Sequence, residues 1–306
     1  MSIDSLIDKI REKKNPTVAG LDPRLAYLPE PLLQDAIARD GETLAAAARA
    51  VLIFNRTLVD ALYDIVPAVK LQSACYECLG PEGMRTMQET IAYARAQGLY
   101  IIADAKRGDI GSTAEAYSAA FLGTVRVGHT DIAPFDADAL TVNPYLGTDS
   151  IKPFLETCQT RGRALFVLGR TSNRSSKELQ TLPAPDRPLY RVVAELSERW
   201  GKTLMGKYGY SSVGLVVGAT QPAEMTELRR YLPGTFFLVP GYGAQGGAAI
   251  DAARAFDTLG RGAIVNSSRA ILCAWQKAGT PGAYADAARA EALRMRDELR
   301  LYIPCL

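Results

Sequence analysis

Eight short apolar runs, spaced by stretches of helical character, constrain the fold of this chain more than any other feature. The runs are Thr17–Leu21, Ala68–Leu71, Leu99–Ala103, Ala139–Val142, Ala164–Leu168, Val213–Val217, Phe236–Val239 and Ala263–Val265. They end in polar or glycine residues, and Leu99–Ala103 in particular reads as a parallel strand buried on both faces. Between them lie amphipathic or alanine-rich segments, namely Gly41–Ile65, Glu82–Gln97, Thr113–Val125, Leu189–Lys202, Ala223–Tyr231 and Ala248–Phe256. Strands alternating with helices in this way predict an α/β chain whose parallel sheet closes into a (β/α)8 TIM barrel. Ser2–Lys13 reads as an extra N-terminal helix and Pro281–Leu301 as a terminal one. At 306 residues the chain suits a single barrel domain spanning 1–306. An open doubly wound sheet is the alternative. That fold normally carries G-x-G-x-x-G after an early strand, whereas Asp22-Pro23-Arg24 follows the first run here.

Charge and composition narrow the function classes. A formal net charge of +2 gives no general reason to expect nucleic-acid or membrane binding. No stretch reaches the apolar length of a membrane span and the N-terminus lacks a signal-peptide core, so a cytoplasmic protein is expected. Five cysteines without a framework spacing suggest free thiols in a reducing compartment. Cys75-Tyr-Glu-Cys78 could be a redox pair or half a zinc site, but no second C-x-x-C exists and His129 is the only histidine. No metal is therefore expected, and a Ser-His-Asp or Cys-His mechanism is disfavoured.

The third run leads into Asp104-Ala-Lys106-Arg-Gly-Asp109-Ile-Gly-Ser-Thr113. Alternation along a strand should bring Asp104 and Lys106 to one face at its C-terminal end. Asp109 lies beyond a glycine that lets the chain turn. A surface salt-bridge knot is the plain alternative for such a charge cluster. In a barrel, however, functional groups gather at the C-terminal strand ends, where Asp22 and Lys70 also fall. Loops after the seventh and eighth strands often bind phosphate through backbone N–H groups. Gly241–Gly247 holds four glycines in seven residues, the composition of a mobile phosphate-gripping lid. Asn266-Ser-Ser268-Arg269 follows the eighth run. Arg269 at the start of a helix is poorly placed unless an anion sits there too. Gly169–Pro188, rich in Ser, Asn, Pro and Arg, marks a long functional loop or a flexible excursion.

The spacing D-x-K-x-x-D-I-x-x-T on the third strand resembles the orotidine 5′-phosphate decarboxylases. Gly20-Leu-Asp22-Pro, Val69-Lys70-Leu, Thr171-Ser172-Asn173, Pro240-Gly241-Tyr-Gly-Ala-Gln245-Gly-Gly247 and Asn266-Ser-Ser268-Arg269 fit that family in order. The Thr-Ser-Asn run and the long inserted segments are similar to its larger bacterial subgroup. The resemblance implies conversion of orotidine 5′-phosphate to UMP without a cofactor, the last step of de novo pyrimidine biosynthesis. It implies that Asp22 and Lys70 contact ribose hydroxyls, that Lys70 also holds Asp104, and that Ser172 reads the pyrimidine. Gln245 would bridge phosphate and base and Arg269 would bind the phosphate, with Pro240 and Ser268 also at substrate-contacting positions. Asp109 and Thr113 would reach into the neighbouring site of a homodimer. The family's more common glycine before the phosphate arginine is Ser268 here, which puts backbone contact at that position in question.

The chemistry this implies needs localised charge to be stabilised. Loss of carbon dioxide from C6 leaves a carbanion that the ring delocalises poorly, so preorganised electrostatics must carry the reaction. Lys106 would stabilise the carbanion and then protonate C6. Asp104 would lie against the substrate carboxylate and hold the lysines. The nearest rival is a metal-dependent sugar-phosphate decarboxylase or aldolase of the same barrel superfamily, which shares D-x-K-x-x-D. Those relatives place an acid where this chain has Lys70, a residue that opposes a divalent cation. A non-catalytic nucleotide-binding barrel is the alternative from another class.

Overall fold

The computed structural model describes residues 2–243 and 246–303. Its strands are β1 (Thr17–Leu21), β2 (Ala68–Gln72), β3 (Tyr100–Arg107), β4 (Val125–Val127), β5 (Thr130–Ile132), β6 (Ala139–Val142), β7 (Ala164–Arg170), β8 (Ser211–Val217), β9 (Thr235–Val239) and β10 (Ala263–Ser267). Eight of them close into a barrel in the order β1-β2-β3-β6-β7-β8-β9-β10, with β10 returning to β1. Every pairing around the ring is parallel. The expected (β/α)8 barrel is therefore the fold, with all eight runs on barrel strands.

Side-chain alternation divides the interior into two cores. Inward residues such as Val18, Ala68, Ile102, Phe166, Phe236 and Ile264 fill the barrel itself. Outward residues such as Ala19, Val69, Ile101, Val167, Phe237 and Val265 pack under the helical layer. The helix Ser2–Lys13 forms over its expected span, and its Ile3, Leu6, Ile7 and Ile10 recur at helical spacing on one face. That face joins the barrel-interior core and so covers the N-terminal end of the barrel. The opposite end, at the C-terminal ends of the strands, is where this topology gathers functional groups.

One expectation needs correction and another gains detail. Thr113–Val125 is not one helix: the helix spans Gly111–Phe121, and Val125 starts the antiparallel hairpin β4–β5. Gly123 follows the helix, and Gly128 at φ +60° makes the turn between two β-branched strands. Gly169–Pro188, expected as a functional loop or a flexible excursion, contains short regular elements. β7 runs on to Arg170, followed by a 3-10 turn at Arg174–Ser176 and a short helix at Lys177–Gln180.

Candidate active site

The C-terminal ends of the barrel strands surround a cavity of about 690 Å³, within the usual size range of small-molecule sites. Its floor follows from strand alternation. Inward positions that are apolar deeper in the barrel become polar at the top of β2, β3, β6 and β10, where Lys70, Asp104, Thr141 and Asn266 stand. On the other side, β7, β8 and β9 offer Leu168, Val216 and Leu238. The floor is thus half charged and half apolar, suited to a ligand with a polar sugar and a flat ring.

The charged half is an alternating chain of ions. Lys70 Nζ lies 3.0 Å from Asp22 Oδ1 and 2.9 Å from Asp104 Oδ2. Lys106 Nζ lies 2.6 Å from Asp104 Oδ1. Gln72 Nε2 donates to Asp104 Oδ2 at 3.2 Å and Thr141 Oγ1 to Oδ1 at 2.9 Å, so both carboxylate oxygens are held from two sides. Lys70 is 3% exposed and Asp104 7%. Burial works against the Lys70 ammonium, yet the Asp104 and Asp22 carboxylates outweigh it and raise its pKa above the ordinary lysine value. Burial likewise pushes Asp104 upward, but Lys70 and Lys106 overcome it and hold the carboxyl well below the usual carboxylate range. Lys106 differs from Lys70 in access: its side chain is 44% exposed, with its ammonium at the cavity.

Lys106 reaches this position by a route that simple alternation does not describe. The register between β3 and β6 shifts between Ala103 and Arg107, and Lys106 has φ +50°. A non-glycine residue in the left-handed region carries strain, a feature that clusters at functional sites. The Lys106 N–H donates to Thr141 Oγ1 at 2.9 Å. Thr141 therefore supports both the strained backbone and the carboxylate beside it.

The phosphate-side expectations fall around the same cavity. Pro240, Ser268 and Arg269 line it, and Arg269 opens the short helix Arg269–Leu272. Ser268 Oγ accepts from Asn266 Nδ2 at 3.2 Å. Gly20 on β1 makes room for it, since a Cβ there would come within 1.8 Å of that hydroxyl. Ser268 is thus accommodated by a glycine on the neighbouring strand. The base of the glycine loop folds back on itself, with Gly247 N donating to Gly241 O at 3.1 Å. Gln245 lies outside the described residues. Ser172 lines the cavity too, as do Leu168 and Val216.

Asp109 and Thr113 are not brought into this cavity within one chain. Asp109 Oδ1 accepts from the Ile110 N–H at 2.8 Å, and Thr113 is exposed in the first turn of its helix. Several cavity residues were not expected: Gln72, Thr141, Gln180, Asn266 and Cys75. Gln72 and Thr141 were legible in principle, being two positions along an inward face from Lys70 and Ala139. Burial pushes the Cys75 thiol up to about 11, which makes it a poor nucleophile. Among the described residues no group of three His, Cys, Asp or Glu side chains is placed to hold a metal ion, and no helix is long and apolar enough to cross a membrane.

Comparison with known proteins gives a consistent family assignment. A profile of the orotidine 5′-phosphate decarboxylase / HUMPS family matches residues 52–284, more than half of the chain. The chain is 44% identical over 289 residues to the orotidine 5′-phosphate decarboxylase of Rhodopirellula baltica, covering 93% of this chain and 94% of that protein. It is 40% identical over 301 residues to the one from Clostridium perfringens, covering 98% of each. Among solved structures, Leishmania donovani OMP decarboxylase is similar with a TM-score of 0.71 at 31% identity, covering 97% of this chain and 98% of that one.

Proposed function

Because this chain belongs to the orotidine 5′-phosphate decarboxylase / HUMPS family, we propose that it decarboxylates orotidine 5′-phosphate to UMP, and that residues 1–306 form one decarboxylase domain. The observation that carries the mechanism is the Asp22–Lys70–Asp104–Lys106 array at the barrel mouth. Its charges are fixed before substrate arrives, so little reorganisation is needed when charge develops at C6. Arg269 and the loop after β9 take the phosphate, Asp22 and Lys70 the ribose hydroxyls, and Ser172 the pyrimidine edge above Leu168 and Val216.

Bond by bond, the C6–carboxylate bond breaks and carbon dioxide departs, leaving the electron pair on C6. The Lys106 ammonium lies against that carbon, stabilises the pair and passes a proton to it, giving UMP. Lys106 then regains a proton from solvent. Asp104 holds both lysines and lies against the substrate carboxylate. Binding energy from the remote phosphate is converted into orientation at the ring.

The rival metal-assisted chemistry is less favoured by the same array. Lys70 Nζ already neutralises the two carboxylates that a divalent cation would need. We further propose a homodimer in which Asp109 and Thr113 complete the partner's site. Gly108 packs against the Asn143 carbonyl, bringing the loops after β3 and β6 together. Those loops expose Ile110 at 56%, Tyr145 at 74% and Leu146 at 48%, apolar surface beside Asp109 that a second copy would cover. The four described cysteines are free, which fits a cytoplasmic enzyme. The test of the reading is the loss of orotidine 5′-phosphate absorbance with EDTA present. Turnover unaffected by the chelator is expected; activity abolished by EDTA and restored by magnesium would favour the metal-dependent class.

A further inference from the structure

Among the described residues Arg170 is the largest side chain fully removed from solvent, and the reaction above makes no use of it. It ends β7, and its guanidinium forks between two loops. Nη1 donates to Ser176 Oγ at 2.6 Å and more distantly to Gln180 Oε1 at 3.4 Å, both in the segment after β7. Nη2 donates to Gln221 Oε1 at 2.8 Å and Glu224 Oε1 at 3.2 Å, both in the segment after β8.

The contacts continue into the cavity wall. Gln180 Oε1 accepts from the Thr171 N–H at 2.9 Å, and Gln180 Nε2 donates to Thr171 Oγ1 at 2.7 Å. Thr171 Oγ1 in turn donates to Asn173 Oδ1 at 2.7 Å. From the β8 side, Thr220 Oγ1 donates to the Ser172 carbonyl at 3.1 Å. Gly218 permits this approach, because a Cβ there would lie 2.8 Å from Ser172 Cα. The backbone on both sides of Ser172 is therefore held by a network centred on one buried cation.

A buried guanidinium is a costly way to fill space, and well-packed apolar residues commonly serve as well or better. Here Glu224 is its one carboxylate partner among the described residues, at 3.2 Å. What the fork provides is fixed geometry: a planar group with donors on two sides sets the separation of the two loops. We propose that Arg170 is a positioning residue for the base end of the cavity, aiming Ser172 at the heterocycle of a pyrimidine nucleoside monophosphate. This rests on the reading of Ser172 in the preceding subsection and extends it to the device that holds it.

The test separates base recognition from phosphate recognition. Calorimetric binding of UMP and of ribose 5-phosphate is measured on the wild-type protein and on Arg170→Met. UMP should weaken about tenfold or more, while ribose 5-phosphate changes by less than about threefold. Gln180→Ala, which interrupts the same network from its half-buried end, should show the same selectivity and carries the test if Arg170→Met does not fold. Equal weakening of both ligands, or unchanged UMP binding in folded variants, overturns the proposal. A wild-type protein that binds neither ligand overturns the functional reading itself, and this inference with it.

Discussion

Lys70→Met keeps the apolar stem of the side chain and removes only the ammonium that Asp22 and Asp104 share. Both partners lie within 3.0 Å of Nζ, and Lys70 is 3% exposed. Removing one member of a buried ion pair costs about 3–5 kcal/mol, because the remaining charge stays buried without its partner. Asp104 keeps Lys106, Gln72 and Thr141, which places the expected loss near the lower end, about 3 kcal/mol at pH 7. The pH dependence identifies the cause. In the wild type Asp104 is held below its unfolded value of about 3.9, so its contribution is present above that pH and is lost as pH falls through the native value. In Lys70→Met the same buried carboxyl has lost one cation, so its native pKa moves upward and it takes up a proton at higher pH. Protonation relieves the unpaired charge, and the stability gap between the two proteins should narrow from pH 7 towards pH 4. Urea unfolding followed by circular dichroism at several pH values measures this directly. A loss under about 1 kcal/mol at pH 7, or a gap that does not change with pH, would refute the shared-cation account.

Arg269→Ala should weaken UMP by about 10- to 150-fold, the worth of a charge-assisted contact of about 1.5–3 kcal/mol, and leave the phosphate-free nucleoside nearly unaffected. Equal losses for both would remove Arg269 from the phosphate site. Mixing Lys106→Ala subunits with Asp109→Ala subunits should restore activity that neither parent has. Random reassortment makes about half of the dimers mixed, each with one complete site, so about a quarter of wild-type activity should return. Mixed dimers that form but stay inactive would defeat the shared-site claim.

Much of this architecture was legible because strand alternation and strand ends carry it. The eight runs mark the barrel, and the inward positions at their C-terminal ends mark Lys70 and Asp104. Lys106 shows where that logic stops: it reaches the cavity through a register shift and a left-handed backbone, not by continuing the alternation past Asp104. The hairpin β4–β5 escaped because its strands have three residues each, too short for a periodic signal. Arg170 escaped for a different reason. In sequence it is one more charged residue at the edge of a polar loop, and only tertiary packing makes it a buried hub. Asp109 and Thr113 lie outside the cavity of their own barrel, and the alternation of a single chain's strands carries no information on the second copy proposed to use them.

Lys106 is the group on which decarboxylation turns, because it stabilises and protonates C6 in the proposed reaction. The direct measurement compares single-turnover decarboxylation of orotidine 5′-phosphate by the wild type and Lys106→Ala, alongside UMP affinity for each. The variant should lose nearly all turnover while its UMP affinity stays within about tenfold of the wild type, since the lysine acts on the reacting carbon and not on the phosphate. Turnover within about tenfold of the wild type would contradict the assignment.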